Sequence, residues 1–185
     1  MTGRRSIVIA ADPIVTRQQM DWLTLTHANS IGPTLRAWQK RSASRIGRWL
    51  FTRALCRRSP YSATIRPRFV ELGPGVCKVT MRKCRRVQDH PGAVHTLAIG
   101  NLCELAAEMV TEVTIPPTMR WIPRGMTIEY LRKAESNLTA TARLDKNEWG
   151  ETQNVGVPVS VVDANGAEVV RAVITMHVTA AIKSV

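Results

Sequence analysis

The stretch from Asp89 to Val110 constrains this chain more than any other, because it reads as one long helix that is apolar almost all the way round. From Val94 to Val113 the apolar side chains do not keep to a single stripe, and a helix of that kind is buried on nearly every side. At ~1.5 Å per residue it spans roughly 28 Å, about the width of a small domain. Its charged residues make it a poor membrane span. A helix at the centre of a domain, wrapped by sheet, is the expectation.

The polar exceptions on that helix are few. Asn101, Glu104, Glu108 and Glu112 fall at i, i+3, i+7 and i+11 and so share one narrow stripe. Like charges at such spacing repel by a few tenths of a kcal/mol per pair. For Glu108 and Glu112 a solvated strip, or ion pairs with the chain's many arginines, accounts for them. Glu104 sits mid-helix between Cys103 and Leu105, where a carboxylate is costly unless something uses it. Cys103 itself reads as a small core residue.

The chain of 185 residues suits one domain with an appendage. Residues 1 to 88 hold 18 Lys/Arg against 3 acids, whereas residues 89 to 185 hold 8 against 11, so the whole excess of the +12 net charge lies in the first half. A basic surface of this size recruits polyanions: nucleic acid, anionic lipid or a phosphate-bearing small molecule. The four cysteines (Cys56, Cys77, Cys84 and Cys103) lack Cys-x-x-Cys spacing, so neither zinc nor a disulfide framework is expected, and no cofactor is implied. No uncharged apolar run reaches 18 residues and no secretory signal stands out, which makes a cytoplasmic location the expectation.

Residues 1 to 33 are hard to place, beyond a helix near 16 to 28. From Thr34 to Arg58, Leu35, Trp38, Ile46, Trp49, Leu50 and Ala54 recur at helical spacing among eight Lys/Arg and no acid. This is a basic amphipathic helix, or two broken near Gly47, able to pack on the domain, lie on a membrane surface or touch phosphates. The period then changes to two. Ile65 to Leu72 and Val76 to Lys83, joined by Gly73-Pro74-Gly75, propose a hairpin. After the central helix come four strands: Met126 to Lys133, Leu138 to Leu144, Val155 to Asp163 and Glu168 to Ala181. Pro158 points to an edge position or a bulge, and His177 falls on the outward face as a surface residue. The fold class is therefore α+β, a curved antiparallel sheet wrapped around one long helix. A basic helical extension (1–58) precedes the main domain (59–185).

Chemistry concentrates where the long helix begins. Asp89, His90, Gly92 and His95 stand at its entrance, where the first-turn N–H groups of Thr96 or Leu97 point outward and can bind a developing oxyanion. Glu104 follows His95 by nine residues, about 13.5 Å along the axis. That is too far for both to reach one carbonyl within one chain. A two-fold dimer with paired central helices brings them together.

The pattern His90-Pro91-Gly92-x-Val94-His95, then Glu104, then a Pro-rich loop and Pro123-Arg124-Gly125-Met126-Thr127-Ile128-Glu129-Tyr130-Leu131, resembles the hotdog-fold acyl-CoA thioesterases of the phenylacetate-pathway type, and above all their relatives with an N-terminal extension. The resemblance covers residues 60 to 182. It implies a hotdog fold, a homodimer or tetramer, and hydrolysis of acyl-CoA or a related thioester. Glu104 would be general base or nucleophile, and the N–H after His95 the oxyanion hole. Asp89 falls where the family often has Asn, and Thr96-Leu97 replaces its usual Gly-Gly, which narrows the approach to the carbonyl. His90, Gly92 and Asn101 would contact substrate, and Arg82, Lys83, Arg85 and Arg86 are candidates for the coenzyme A phosphates. The rival reading keeps the fold without the chemistry: an acyl-binding or ligand-sensing module whose basic region meets nucleic acid or anionic membrane. Residues 1 to 60 show no helix-turn-helix and no interleaved stacking aromatics, which counts against nucleic acid.

Overall fold

In a computed structural model of the chain, residues 6–10, 32–89, 92–145, 149–150 and 152–181 are described. The elements run β1 (Ser6–Ala10), α1 (Pro33–Arg41), α2 (Arg45–Arg58), α3 (Pro60–Ala63), β2 (Arg68–Gly73), β3 (Val76–Met81), a 3-10 turn (Arg85–Val87), α4 (Thr96–Thr114), β4 (Met119–Tyr130), β5 (Leu138–Arg143), β6 (Gln153–Val162) and β7 (Glu168–Ala180). The strands form one antiparallel sheet in the order β1-β4-β7-β6-β5-β3-β2.

The central helix is α4, and twelve of its nineteen residues are buried, including Leu102, Cys103, Ala106 and Val110 with essentially no exposed surface. It packs on the sheet face built by every second residue of the strands. In β7 these are Val170, Ala172, Ile174, Met176 and Val178, while Arg171, Val173 and Thr175 turn outward. His177 lies on that outward side, its Nδ1 2.8 Å from Asn154 Oδ1. Pro158 sits in β6 just past the last residue that pairs with β5, so its missing N–H interrupts no ladder bond on that side.

Two features of the sheet depart from the sequence reading, and a third departure lies in the basic segment. The sheet gains a strand, β1, whose backbone pairs Ser6–Ala10 with Glu129–Gly125 on the β4 edge. The helix expected near 16 to 28 lies outside the described residues. Strand β4 begins at Met119, seven residues before the expected start, because the Pro123-Arg124-Gly125 segment is a β-bulge within the strand and not a loop.

The third departure is small: the basic segment forms two helices, the second of the two alternatives, with the break at residues 42–44, just before Gly47. Ser44 caps α2 by accepting the Gly47 N–H at 2.9 Å. A Cβ on Gly47 would stand 2.1 Å from the Arg41 carbonyl oxygen, so glycine is needed there for close approach of two backbones. Leu35, Trp38 and Phe51 belong to the same buried cluster as the sheet and α4. Trp38, Phe51 and Phe69 meet edge to face, with centroids 5.2 Å (Trp38–Phe51) and 5.5 Å (Phe51–Phe69) apart. These helices therefore cover part of the core.

Candidate functional site

Glu104 lines a cavity of about 260 Å³ whose other walls are largely apolar: Leu97, Gly100, Met126, Ile174, Pro123 and Gly125, with Tyr61, Asn101 and Arg124 at its polar points. Burial pushes the Glu104 carboxyl above its ordinary carboxylate pKa. A second cavity of about 190 Å³ opens at the start of α4, lined among others by His95, Leu97, Asn101, Tyr61, Arg86 and Gln88. Tyr61, Leu97 and Asn101 border both. Within one chain, then, the helix entrance and the acid occupy adjoining cavities with a shared wall.

At the entrance the backbone is shaped by two devices. Asp89 Oδ1 accepts the Ala93 N–H at 3.1 Å while the Asp89 carbonyl accepts the Gly92 N–H at 3.0 Å, a tight turn in which Gly92 adopts φ +77°. His95 then serves as N-cap, its Nδ1 accepting the Leu97 N–H at 3.1 Å. That bond puts the imidazole proton on Nε2 when the ring is neutral. It also occupies the Leu97 amide, one of the two expected oxyanion donors. The Thr96 N–H has no hydrogen-bond partner among the described residues, and the Thr96 carbonyl accepts the Tyr130 hydroxyl at 3.3 Å.

The remaining candidates divide. Asn101 is buried and borders both cavities, its amide donating to the Tyr61 carbonyl. Arg86 reaches the His95 cavity. Lys83 is turned to the β4–β5 loop, donating through Nζ to the Glu135 carbonyl at 2.9 Å. Arg82 and Arg85 are exposed and border neither cavity, nor does Asp89 or Gly92. His90 lies outside the described residues.

Below Glu104 on the same helix, Glu108 is half-buried and not fully solvated as its spacing suggested. Burial first, then the neighbouring charges of Glu104 and Glu112, push its carboxyl up to about 8. Glu112 accepts the Trp121 indole N–H at 3.0 Å and the Thr34 hydroxyl at 3.4 Å. Cys103 is fully buried, with its thiol pushed up to about 12, and is inert at neutral pH. Among the described residues no cluster of His, Cys, Asp and Glu side chains is arranged to hold a metal ion, and no helix is long and apolar enough to cross a membrane.

Tyr61 and Arg124 escaped the sequence reading. Arg124 is the extra residue of the β4 bulge, and a Pro and a Gly two apart inside a strand pattern were the signal for it. Tyr61 carried no such mark.

A long buried helix laid against a curved antiparallel sheet, with an acid and a capped helix entrance at its surface, defines a hotdog-fold protein. More particularly, the chain belongs to the family described as "Domain of unknown function (DUF4442)", whose model matches residues 47–178. A structural-genomics crystal structure that carries no functional name is 40% identical, with a TM-score of 0.71 over 80% of this chain and 98% of that one. A thioesterase from Pseudomonas aeruginosa, crystallised as a point mutant, is 20% identical with a TM-score of 0.61, covering 70% of this chain and 92% of that one. A thioesterase family protein from Silicibacter pomeroyi is 18% identical, TM-score 0.60, covering 70% and 96%. At these last identities the likeness shows the hotdog fold. No curated protein matches the chain significantly.

Proposed function

We propose that this protein hydrolyses acyl thioesters, with acyl-CoA as the substrate class, at a site built from two copies of the chain. The observation that carries the reading is Glu104, a carboxylate in an otherwise mostly apolar cavity, with its proton affinity raised by burial. Such a group is a better base than a solvated carboxylate. Glu104 takes a proton from a water molecule as the water oxygen bonds to the thioester carbonyl carbon. The oxyanion that forms is held by the Thr96 N–H of the second copy. Collapse of the tetrahedral intermediate breaks the C–S bond, and the thiolate leaves with the proton that Glu104 carries. The capped entrance supports this role for Thr96, since its amide stays outward while His95 holds the next one. Arg86 and Arg124, one at each cavity, are suited to the phosphates of a coenzyme A carrier. A cytoplasmic setting accords with this substrate.

Two variants test the reading. Glu104→Gln is expected to lower thiol release from acyl-CoA by about 10²- to 10⁴-fold. Thr96 is the first residue of α4, where proline is well tolerated, so Thr96→Pro removes the amide donor and keeps the helix. It is expected to lower the rate about 10²- to 10³-fold. Mixing the two inactive variants should restore about a quarter of the wild-type rate, because half of the dimers are then mixed and each has one intact site. Restoration absent from subunits shown to have exchanged refutes the shared site. A wild-type protein inert on short, medium, long and aromatic acyl-CoAs refutes hydrolysis itself.

One observation favours a second reading, a non-catalytic acyl-binding module. The Leu97 amide is spent on His95 and the Leu97 side chain stands between the two cavities, which leaves a single donor at the entrance. Tight binding of acyl-CoA without turnover would select it.

A further inference from the structure

Helix α2 is apolar on two opposite faces. Gly47, Phe51 and Thr52 turn inward, Phe51 into the aromatic contact with Trp38 and Phe69. On the opposite side Ile46, Trp49 and Leu50, at i, i+3 and i+4, form an outward apolar patch with exposures of 72%, 54% and 45%. Arg53 and Arg57 continue the same face at i+7 and i+11, and the Arg53 guanidinium lies over the Trp49 ring at 5.6 Å. Three large exposed apolar side chains side by side on one helix are more than scattered surface residues require.

The surroundings of the patch decide what covers it. From residue 22 to residue 70 the sequence has no acid, and Lys40, Arg41, Arg45, Arg53, Arg57 and Arg58 are all exposed on α1 and α2. A second copy of this chain would bring a like-charged face against it, which is repulsive. A nucleic acid would meet the arginines but would leave Ile46 and Leu50 pressed against a hydrated phosphate backbone, where they gain nothing. An anionic phospholipid surface satisfies both halves. The arginines meet headgroup phosphates, Ile46 and Leu50 enter the acyl boundary, and the tryptophan ring lies at the headgroup level, where its N–H stays wet.

We propose that the outward face of α2, centred on Ile46, Trp49 and Leu50 and rimmed by Arg45, Arg53 and Arg57, docks the protein on anionic membrane surfaces. No spanning helix takes part; the attachment is peripheral and reversible. Its strength is the sum of a modest apolar insertion and several screened charge contacts, and it therefore falls with salt.

The test uses the full chain and sedimentation with vesicles of phosphatidylcholine alone or with about a third phosphatidylserine. Binding is expected to the anionic vesicles only, and to weaken as salt rises from about 0.1 M to about 0.5 M. Neutralising one arginine should cost about fivefold in partition coefficient, and the double variant Arg53→Gln, Arg57→Gln about 25-fold. Ile46→Ser with Leu50→Ser should lose at least tenfold while the thermal transition stays in place, because these side chains contribute nothing to the core. Brominated lipid should quench a fluorescence component that is missing in Trp49→Phe. Equal binding to neutral and anionic vesicles, no binding at all, or anionic binding unchanged by the Ile46, Leu50 double variant would each overturn the proposal. Duplex DNA displacing the protein from vesicles through the same arginines, with no effect of that double variant, would overturn it in favour of nucleic acid.

Discussion

The side-chain amide of Asn101 donates to the backbone carbonyl of Tyr61 across 3.3 Å, and these two residues, together with Leu97, stand between the cavity of Glu104 and the cavity of His95. A buried amide on the central helix thus helps to hold the short helix α3, whose Tyr61 ring is exposed over the site. Asn101→Ala removes the donor and leaves a carbonyl without its partner. We expect a loss of about 1 to 2 kcal/mol in urea unfolding. The wall between the two cavities would also thin beside Leu97, so longer acyl chains should gain affinity relative to short ones.

Glu108 gives a pH dependence of definite sign. Its folded-state pKa is about 8 against an ordinary value of 4.5, so the folded chain holds a proton that the unfolded chain releases. Stability from this group is complete at low pH, declines as pH rises above about 4.5, and is lost as pH passes through about 8. Glu108→Gln removes the titration. The variant should match wild type in unfolding free energy near pH 4 and exceed it at pH 8 and above, by a difference on the order of a few kcal/mol, with its melting temperature rising accordingly. Parallel melting curves at the two pH values would contradict the burial of this carboxylate.

The aromatic contact of Trp38, Phe51 and Phe69 ties α1 and α2 to the sheet. Phe51→Ala opens a cavity in the shared core and should cost about 3 to 5 kcal/mol. For the same reason a fragment beginning at residue 59 should unfold cooperatively at a much lower temperature than the whole chain, or fail to fold. A fragment as stable as the whole chain would show that residues 1 to 58 are an independent appendage.

Gly100 sits inside α4 and also lines the Glu104 cavity. A Cβ there would meet Met126 Cε at 3.5 Å and Ile128 Cδ1 at 3.6 Å, ordinary contacts that need no rearrangement. Gly100→Ala should therefore stabilise the protein by up to about 1 kcal/mol through helix propensity. The added methyl narrows the cavity, so KM for bulky acyl groups should rise. Calorimetry and a substrate series on the same variant separate the two effects.

The sequence carried the central helix, the Gly73-Pro74-Gly75 hairpin and the last three strands, because each is written in a local period of burial that does not depend on what lies opposite. Glu104 was legible for a related reason: a carboxylate in an apolar helix is costly wherever the helix is buried. The helix entrance at Asp89, Gly92 and His95 was local too, whereas the capping role of His95 was not read, because it depends on how its ring turns back onto the Leu97 amide.

What the sequence could not decide is which distant groups meet. Tyr61 reaches Asn101 across forty positions, and β1 finds the β4 edge although Ser6 and Glu129 are far apart in the chain. Arg124 borders the Glu104 cavity only because a bulge adds one residue to β4. The fate of Glu108 was set the same way, since its spacing is that of a solvated stripe and only packing covers part of it. Periodicity records how much of a side chain is buried; it contains no record of the partner that buries it. Contacts between elements depend on register and crossing geometry, and those are settled by the whole fold at once.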